Sequence, residues 1–360
     1  MSLDDVSVHL VENLDDAMAL KRWLGERHEE NAIAVDTETT GLDPRAPGAA
    51  IRLIQVGDTH QGWSIPWEDW RGLALEVLRE WDGTLVTHNG AFEAKWIQHH
   101  SPYRLPRDRT VDTMIGAHII NPLGSGALKN LSVEYIDRRA AAGQSMLNRA
   151  FIENGWDWDT VPINFGPYWQ YASLDTVLTA RLWQKFKGDL QGTYRDVFDL
   201  EMAVRFIASR MEERGARVDL NYSEAKYVEL QQYAADIKQW AKDTFGITIS
   251  SNPALASKIL ELGGVFQSFT DKGAPKVDKD TLKYFADPDN GFSPELQILA
   301  REARNYRQAQ KFSSTYFEAF LTKSYDSTIH ADIRTLGART GRQSTTGIPL
   351  QQLPKGNALT

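Results

Sequence analysis

Two acidic residues one position apart follow a short apolar run near the start of the chain. The stretch AIAVDTETTGL, residues 32–42, places Asp36 and Glu38 after four small or apolar residues. Because side chains alternate along a β-strand, these two carboxylates would leave the same face. Like charges side by side repel unless a cation lies between them or one takes a proton. The pair therefore indicates either a site for a cation or a proton, or a strand that runs out into a solvated turn.

Three further residues that could do chemistry lie downstream, and each has a purely structural alternative. The stretch YWQYASLDTVLTARLW has helical apolar spacing and places Tyr171 and Asp175 four residues apart, on one face. Glu93 falls in the first turn of a predicted helix, where a carboxylate interacts favourably with the helix dipole. The structural alternative for Asp175 is a pair with Arg181 or with solvent, and for Tyr171 it is a place in the core.

The elements that must position these residues alternate in the first half of the chain. The strand-like stretches are VSVHLV, AIAVDTE, IRLIQVGD, GWSIPW and TLVTH. The helix-like stretches are LDDAMALKRWLGERHEE, GLALEVLREW, AFEAKWIQHH, DTMIGAHII, LKNLSVEYIDRRA and YWQYASLDTVLTARLWQKF. Together they predict an α/β layer fold with a mixed sheet. From about residue 190 onward the sequence predicts mostly helices, interrupted by a loop or short hairpin at TDKGAPKVDKD.

The order and spacing of these motifs resemble the DEDD exonucleases, in the subgroup that carries a tyrosine. Their first motif, Asp-x-Glu at the end of a strand, is matched by Asp36 and Glu38. Their third motif, Tyr-x-x-x-Asp on a helix, is matched by Tyr171 and Asp175. The resemblance covers roughly residues 5–190 and implies an RNase H-like 3′-5′ exonuclease domain.

The second motif of that family, Asn-x-x-x-Asp after a strand, is matched only in part. Asn89 is present, but Glu93 stands where the family usually has aspartate. A side chain one methylene longer displaces its carboxylate, so we expect activity to survive at a reduced level. The segment VDTMIGAHIINP also resembles the family, which implies that Asp112 is a structural carboxylate.

The resemblance implies hydrolysis of phosphodiesters with two divalent ions, Mg²⁺ or Mn²⁺. Such ions can activate a water and stabilise the leaving oxygen, and they prefer carboxylate ligands. Asp36 would bridge both ions, Glu38 and Asp175 would bind the first, and Glu93 would serve the second through waters. Tyr171 would orient the attacking water. The residues implied to contact the terminal nucleotide are Thr39, Leu42 and Asn89.

The second half of the chain resembles family A, polymerase I-like DNA polymerases. LEMAVRFIASRMEERGARVDL resembles the junction after their exonuclease domain, and SNPALASKILELGGVFQSF with REARNYRQAQKFSSTYFEAFL resembles their thumb. ARTGRQSTTGIPLQQLPK resembles the Thr-Gly-Arg-x-Ser and Leu-Gln-x-Leu-Pro signature at the entrance to the palm. The matching residues are Thr340, Gly341, Arg342, Ser344, Leu350, Gln351, Leu353 and Pro354. Ile348 and Pro349 depart from it, standing where proline and asparagine are usual.

This resemblance implies three parts and a DNA partner. The exonuclease domain would span 1–190, a thumb-like helical region 191–325, and the beginning of a palm 326–360. Arg342 would reach the minor groove near the primer end, where shape can be checked without reading sequence, and Gln351 is a second predicted DNA contact. The triplet Arg301, Arg304 and Arg307 could follow a phosphate backbone, with a solvated helix face as the alternative. These lie in a basic segment that runs to Lys355.

The palm carboxylates and fingers residues that carry nucleotide addition in that family would follow the signature, and none lies within these 360 residues. We therefore expect this polypeptide not to polymerise DNA. Either it is a truncated product, or a second chain supplies the rest of palm and fingers. No 5′-nuclease segment precedes the exonuclease motifs, which resembles phage-type polymerases more than the bacterial repair enzyme.

The composition argues against several classes of protein. The chain is 42% hydrophobic and 24% charged, and no apolar run approaches the roughly 20 residues of a membrane span. Its acidic start lacks the layout of a signal peptide, so we expect a cytoplasmic protein of a bacterium or a phage-infected host. The absence of cysteine excludes disulfides and thiolate metal sites. A net charge of −8 argues against coating nucleic acid by bulk electrostatics, although local patches decide enzyme binding.

Three interpretations follow. The first is the proofreading exonuclease part of a family A DNA polymerase, acting on single-stranded 3′ ends and primer-template DNA. The second is a free-standing exonuclease that trims RNA, against which the palm signature argues. The third is a catalytically inactive DNA-binding scaffold, for which Glu93 is the one favourable feature.

Overall fold

The computed structural model describes residues 3–26 and 31–353, which divide into two compact units. The first unit comprises the residues up to Arg214 together with Ile333–Ser344. The second comprises Gly215–Asp332 and the residues from Thr345 onward. Pro354 and Lys355, named above, lie outside the described residues, as do residues 27–30 of the first predicted helix.

A six-stranded mixed sheet forms the centre of the first unit. Its strands are β1 (Ser7–Leu10), β2 (Ala32–Thr39), β3 (Ile51–Gly57), β4 (Gln61–Pro66), β5 (Thr84–Thr87) and β6 (Thr110–Asp112). They lie in the order β1-β4-β3-β2-β5-β6. Strand β3 is antiparallel to β2 and β4, and the other neighbouring pairs are parallel. The mixed sheet predicted from the sequence is confirmed, and β6 is an added short strand.

Eight helices of this unit are assigned within the described residues. They are α1 (Leu14–Gly25), α2 (Trp67–Glu80), α3 (Ala91–His100), α4 (Thr113–Ile120), α5 (Leu128–Tyr135), α6 (Ala142–Asn154), α7 (Gly166–Gln191) and α8 (Arg195–Arg214). Helix α6 is absent from the sequence prediction. Its only fully buried side chain is Leu147, while Met146 and Ile152 are exposed, so it lacks the apolar period that reveals a packed helix.

Strand β2 is shaped by its alternating side chains. Ile33, Ala34 and Val35 are buried, and beyond them Asp36 and Glu38 are partly exposed on one face. The pairing with β3 shifts between Glu38 and Thr39, a bulge that ends the regular ladder. The two carboxylates therefore share a face, as the strand period predicts, at the last regular positions of the strand.

Two glycines let helix α7 lie directly on the sheet. A Cβ atom added to Gly62 on β4 would lie 2.2 Å from the carbonyl oxygen of Ser173. One added to Gly57 on β3 would lie 2.3 Å from Oγ1 of Thr176. The hydroxyl groups of Ser64 and Ser173 are 2.7 Å apart across the same contact. Small residues on both sides therefore fix the height of α7 above the sheet.

The second unit is mostly helical, as predicted. Its helices are α9 (Leu220–Phe245), α10 (Asn252–Glu261), α11 (Lys279–Ala286), α12 (Pro294–Lys311) and α13 (Glu318–Thr322), with a π-helical turn at Phe312–Phe317. Its short strands are β7 (Ala216–Arg217), β8 (Ser324–Tyr325) and β9 (Thr328–Ile329). Two further short strands of the chain are β10 (Asp332–Arg334) and β11 (Ser344–Thr346).

A separate apolar core holds the second unit together. Leu282, Phe285, Leu296 and Leu299 are fully buried in it. The predicted turn at TDKGAPKVDKD contains a bridge between Phe269 and Pro275, which confirms a short hairpin. Among the helices described, none is both long enough and apolar enough to cross a membrane.

Candidate active site

The five candidate catalytic residues come from three elements of the first unit. Asp36 and Glu38 lie near the end of β2, and Glu93 lies in the first turn of α3. Tyr171 and Asp175 lie one turn apart on α7. The packing of α7 on the sheet brings its acidic residue within electrostatic reach of both carboxylates on β2.

The surroundings of these carboxyl groups favour their protonated forms. Burial, followed by the charge of Asp175, raises the pKa of Asp36 to about 7. Burial, followed by the charges of Asp36 and Asp175, raises the pKa of Glu38 well above its usual value. Burial also raises the pKa of Asp175, although Lys129 opposes that shift. The group behaves as a cluster of like charges that a cation would stabilise.

Glu93 is the most enclosed of the acidic residues. It is 2% exposed, and its carboxyl group lies close enough to that of Asp36 for the two to interact. Burial, followed by the charge of Asp36, raises its pKa well above the usual value. Its Oε2 atom has no hydrogen-bond partner among the described residues. A buried oxygen without a donor is costly, so this atom is suited to a ligand.

Tyr171 faces the acidic cluster from α7. Its hydroxyl group lies within hydrogen-bonding reach of Asp175, and burial, followed by the nearby carboxylates, raises its pKa. Trp158 packs against it, with the two ring centroids 6.3 Å apart. The guanidinium of Arg52 donates to carbonyl oxygens of the Trp158 loop. Arg52 therefore fixes the loop that supports the tyrosine.

Two buried polar residues near the cluster were missed by the sequence reasoning. Lys129 on α5 contacts Oδ1 of Asp175, which corrects the alternative that Asp175 pairs with Arg181. Arg181 instead donates to the carbonyl oxygen of Thr59. Gln55 lies opposite Asp36 in the β2–β3 ladder, fully buried, and neither atom of its amide has a partner within the described residues.

The signal for Lys129 was weak in the sequence. It lies three residues before Ser132, which is fully buried, so the two share a helix face. A serine on a buried face leaves room beside it that a lysine side chain can occupy. Without the fold, the same pattern is equally typical of a solvated position.

The turn after β5 carries the second motif and is held by Asp112. The carboxylate of Asp112 accepts hydrogen bonds from the backbone amides of Asn89, at 3.1 Å, and Gly90, at 2.7 Å. It also accepts from the amide of Met114 at the start of α4. Asn89 is exposed and adopts a left-handed backbone with φ of 67°. Asp112 is therefore structural, as expected, and holds the turn before Glu93.

The predicted nucleotide contacts on β2 differ in their exposure. Thr39 is buried, and its hydroxyl group donates to the carbonyl oxygen of Gly41 at 2.7 Å. Leu42 is 80% exposed in the turn beyond the bulge. An apolar side chain held in the open beside a site is available for contact with a base, whereas Thr39 supports the turn.

The predicted DNA contacts in the second half differ in their exposure: Arg301 is exposed, whereas Arg304 and Arg307 are half-buried. Arg342 lies in the returning segment of the first unit, and Gln351 lies in a short 3-10 helix of the second unit. Both are exposed. In α12, however, Arg307 donates to the carbonyl oxygen of Val277 and to the side chain of Asn252. This pairing favours a structural role for Arg307 over the phosphate-tracking triplet.

The donor chemistry of the acidic residues decides which metal ions they could hold. Four carboxylates supply only hard oxygen donors, which suit Mg²⁺ or Mn²⁺. The unpartnered Oε2 of Glu93 and the ammonium ion already beside Asp175 both indicate a place for positive charge. Over the described part of the chain, no three His, Cys, Asp or Glu side chains stand in a ligating arrangement. By donor chemistry alone the four carboxylates suit a divalent cation, and Lys129 contacts one of their oxygens, Oδ1 of Asp175.

Known proteins are similar to this chain over most of its length. The family model for the 3′-5′ exonuclease of DNA polymerase A matches residues 11–191, half of the chain. A DNA polymerase of Mycobacterium phage D29 is 28% identical over 374 residues, covering 98% of this chain and 60% of that protein. The DNA polymerase I of Pseudomonas aeruginosa is 26% identical over 361 residues, covering 94% of this chain and 38% of that protein. The chain thus spans 60% or less of these two relatives.

A solved structure shares the fold. The POL domain of Pol1 from M. smegmatis, in complex with DNA primer-template and dNTP, matches with a TM-score of 0.70 at 18% identity. The match covers 97% of this chain and 56% of that one. The likeness therefore extends through both units, including the helical second unit.

Proposed function

We propose a function from the premise that this chain belongs to the 3′-5′ exonuclease family of DNA polymerase A. It removes nucleotides one at a time from the 3′ ends of DNA and releases nucleoside monophosphates. This activity serves proofreading within a family A DNA polymerase of the phage type. The whole of such a polymerase is longer than this chain, so the pairing with polymerisation is part of the proposal.

One observation carries the proposal. Asp36, Glu38, Glu93, Tyr171 and Asp175, chosen by motif from three distant stretches, act on one another electrostatically in the fold. A structural account of each residue alone would not require that proximity. Perturbed carboxyl groups brought together in this way are typical of catalytic sites.

Each of the site residues has a separate role in the proposed hydrolysis. Asp36, Glu38, Asp175 and Glu93 would hold two divalent ions, which supply a water of lowered pKa and stabilise the departing oxygen. Tyr171, beside Asp175, orients the water that attacks phosphorus. The phosphorus–oxygen bond to the 3′ oxygen of the penultimate nucleotide breaks, and that oxygen takes a proton. Leu42 and Asn89, both exposed, contact the terminal nucleotide.

Extended similarity favours DNA over RNA as the substrate. Two relatives whose matches cover 98% and 94% of this chain are DNA polymerases. The segment around Arg342 also resembles the palm signature of family A DNA polymerases. A free-standing RNA-trimming enzyme would not need that segment. The second unit is proposed as the thumb, and the chain from about residue 326 as the start of a palm completed by further residues or by a second chain.

The test is digestion of a 3′-recessed and a 3′-mismatched DNA primer in Mn²⁺, comparing wild type with Asp36→Ala. We expect stepwise loss of 3′ nucleotides that Asp36→Ala lowers by at least about a hundredfold, since direct metal ligands are removed. The matched control is Asp69→Ala, an exposed aspartate at the start of α2. Loss that is unaffected by Asp36→Ala would contradict the assignment.

Two further arms of the same assay separate the alternatives. A preference for structured RNA over DNA would favour the RNA-trimming interpretation. No digestion by the wild type, together with DNA binding, would favour the inactive scaffold. We also propose that this polypeptide alone does not extend the primer when dNTPs are present, and extension would contradict that part of the proposal.

A further inference from the structure

We infer that Lys129 is a built-in counter-cation of the exonuclease site, holding Asp175 in the metal-free protein and leaving that carboxylate when a divalent ion binds. This inference rests on the proposed function in one respect only, namely that the carboxylates take a divalent ion. It assigns a role to a residue on α5 that no motif of the resemblance includes.

The contact between Lys129 and Asp175 is enclosed. The ammonium group touches Oδ1 of Asp175, and the two side chains are 11% and 7% exposed. Lysine is rarely buried unless it is paired, so the position of this side chain depends on the carboxylate. At a surface such a pair would be screened by water, whereas here it replaces the solvent around Asp175.

A second contact places the ammonium group inside the site rather than beside it. The Nζ atom of Lys129 lies 4.1 Å from the ring centroid of Tyr171. An ammonium ion at this distance from a ring face is attracted by it. Lys129 therefore lies between the two α7 residues that the proposed reaction uses, and its charge also reaches Asp36 and Glu38.

A divalent ion and this ammonium group compete for the same oxygen. Mg²⁺ binds carboxylate oxygens at about 2.0–2.1 Å, and it would repel a second positive charge on the same atom. The flexible four-carbon stem of lysine allows the ammonium group to withdraw. Displacement of Lys129 would free Oδ1 of Asp175, the oxygen that its ammonium group now contacts.

The experiment measures metal binding by the full chain rather than its activity. Lys129→Met keeps the length of the side chain and removes its charge, and Lys185→Met, an exposed position on α7, is the matched control. Isothermal titration calorimetry with Mn²⁺ alone should show about tenfold or greater tightening in Lys129→Met, a change comparable to other outer-shell effects on metal sites. The control should match the wild type. Equal or weaker Mn²⁺ affinity in Lys129→Met than in the control would overturn the inference.

Melting temperatures of the variants show whether a change in Mn²⁺ binding could come from a loss of folding. In EDTA, Lys129→Met should melt below the wild type because Asp175 has lost its partner, and Mn²⁺ should raise its melting temperature more than that of the wild type. The double variant Lys129→Met with Asp175→Asn removes both charges and should recover most of the loss in EDTA. A loss that persists in the double variant would show that Lys129 acts through packing, and would reject the counter-cation.

The two proposals fail in different ways. Digestion of DNA that depends on Asp36, without tighter Mn²⁺ binding by Lys129→Met, keeps the proposed function and rejects the counter-cation. Tighter Mn²⁺ binding by Lys129→Met, without any digestion that depends on Asp36, keeps the counter-cation and rejects the nuclease.

Discussion

The acidic residues of the site are held in unequal surroundings. Glu93 and Asp175 are 2% and 5% exposed, whereas Asp36 and Glu38 keep part of their surface accessible. Burial of a carboxylate without a full set of donors favours its neutral form. In the metal-free protein the pKa values of the cluster are therefore raised, and a divalent ion competes with protons for these carboxyl groups.

The pH dependence of stability follows from the pKa of Asp36. Burial and the charge of Asp175 raise this pKa from 3.8 to about 7, so between these values the native state holds a proton that the unfolded state has lost. The stabilisation that this proton gives the native state is fully present below pH 4 and is lost as the pH rises through 7. We expect the free energy of unfolding in EDTA to fall by on the order of 2–4 kcal/mol from pH 5 to 8.

Urea unfolding at several pH values measures this dependence, and Asp36→Asn provides the comparison. The asparagine variant cannot titrate at this position, so its stability should change less over the same interval. A wild type that becomes more stable toward pH 8 in EDTA, relative to Asp36→Asn, would contradict the raised pKa. With saturating Mn²⁺ the trend should reverse, because the metal binds the deprotonated cluster.

Glu93 can be tested against its purely structural role at a helix start. Glu93→Ala should lower digestion of DNA 3′ ends at least about tenfold, because a proposed ligand is removed. Glu68→Ala removes an exposed glutamate from the first turn of α2 and should leave digestion near wild type. Rates are compared in Mn²⁺ at saturating primer. Undiminished cleavage by Glu93→Ala would remove this residue from the site.

The faces on which the candidate site residues lie were predictable from the sequence, because strand and helix periods decide which side chains share a face. The pattern of β2 predicted that Asp36 and Glu38 leave together, and the structure confirms this. Lys129 could not be predicted, because a lysine near a helix start is equally typical of a solvated position. The pairing of Asp175 with Arg181 was a wrong alternative, since helix spacing does not reveal which residues another helix presents.

At the scale of elements, the height of α7 above the sheet decides where Asp175 lies. Glycines on the sheet meet the backbone of Ser173 and the short side chain of Thr176, so neither side of the contact can move aside easily. Interiors packed at this density transmit small displacements rather than absorb them. The geometry of the site therefore depends on residues that carry no functional group.

Gly62→Ala tests this dependence. The new methyl group would meet the carbonyl oxygen of Ser173 at 2.2 Å, so α7 must move. We expect a loss of about 2–3 kcal/mol in stability and a fall of about a hundredfold in digestion. Gly72→Ala on α2 is the control, because nothing lies within 4 Å of its added Cβ. That variant should be unchanged or up to about 1 kcal/mol more stable.

Urea unfolding and primer digestion together decide the outcome. If Gly62→Ala unfolds and digests like the control, then the close approach of α7 does not govern the site. The sequence predicted α7 as a helix from its apolar spacing. The role of Gly57 and Gly62 stayed hidden, because the partner across the contact lies more than 100 residues away in the chain.

At the scale of the whole molecule, each unit has its own core. The second unit packs around residues such as Leu282 and Phe285, and the first around its mixed sheet. Sequence reasoning predicted the change from mixed α/β to helical character near residue 190. The compact units divide at Arg214, and α8 contributes Phe198 and Met202 to a core cluster of the first unit. A helix at a boundary is assigned by its packing, which periodicity alone does not show.

Leu282→Ala tests whether the two cores are energetically separate. Loss of this fully buried side chain should cost about 2–5 kcal/mol in the second unit. Digestion of single-stranded DNA at 25 °C should stay within about threefold of wild type, because the acidic cluster lies in the first unit. Calorimetric melting and digestion of an oligonucleotide are the two measurements. A large loss of digestion in a protein that is still folded would show coupling between the cores.

The bulge at the end of β2 separates the strand, which is held by the sheet, from a loop whose length could change. Beyond it, the backbone of Thr40 donates to the carbonyl oxygen of Ala50, and the amide of Ala50 donates to the hydroxyl of Thr40. These two bonds close a loop, residues 41–49. They hold the two ends of the loop together, whatever its length. Lengthening a closed loop costs little entropy. This loop, which carries Leu42, is therefore a position where peptides or fluorescent labels could be inserted without shifting the acidic end of the strand.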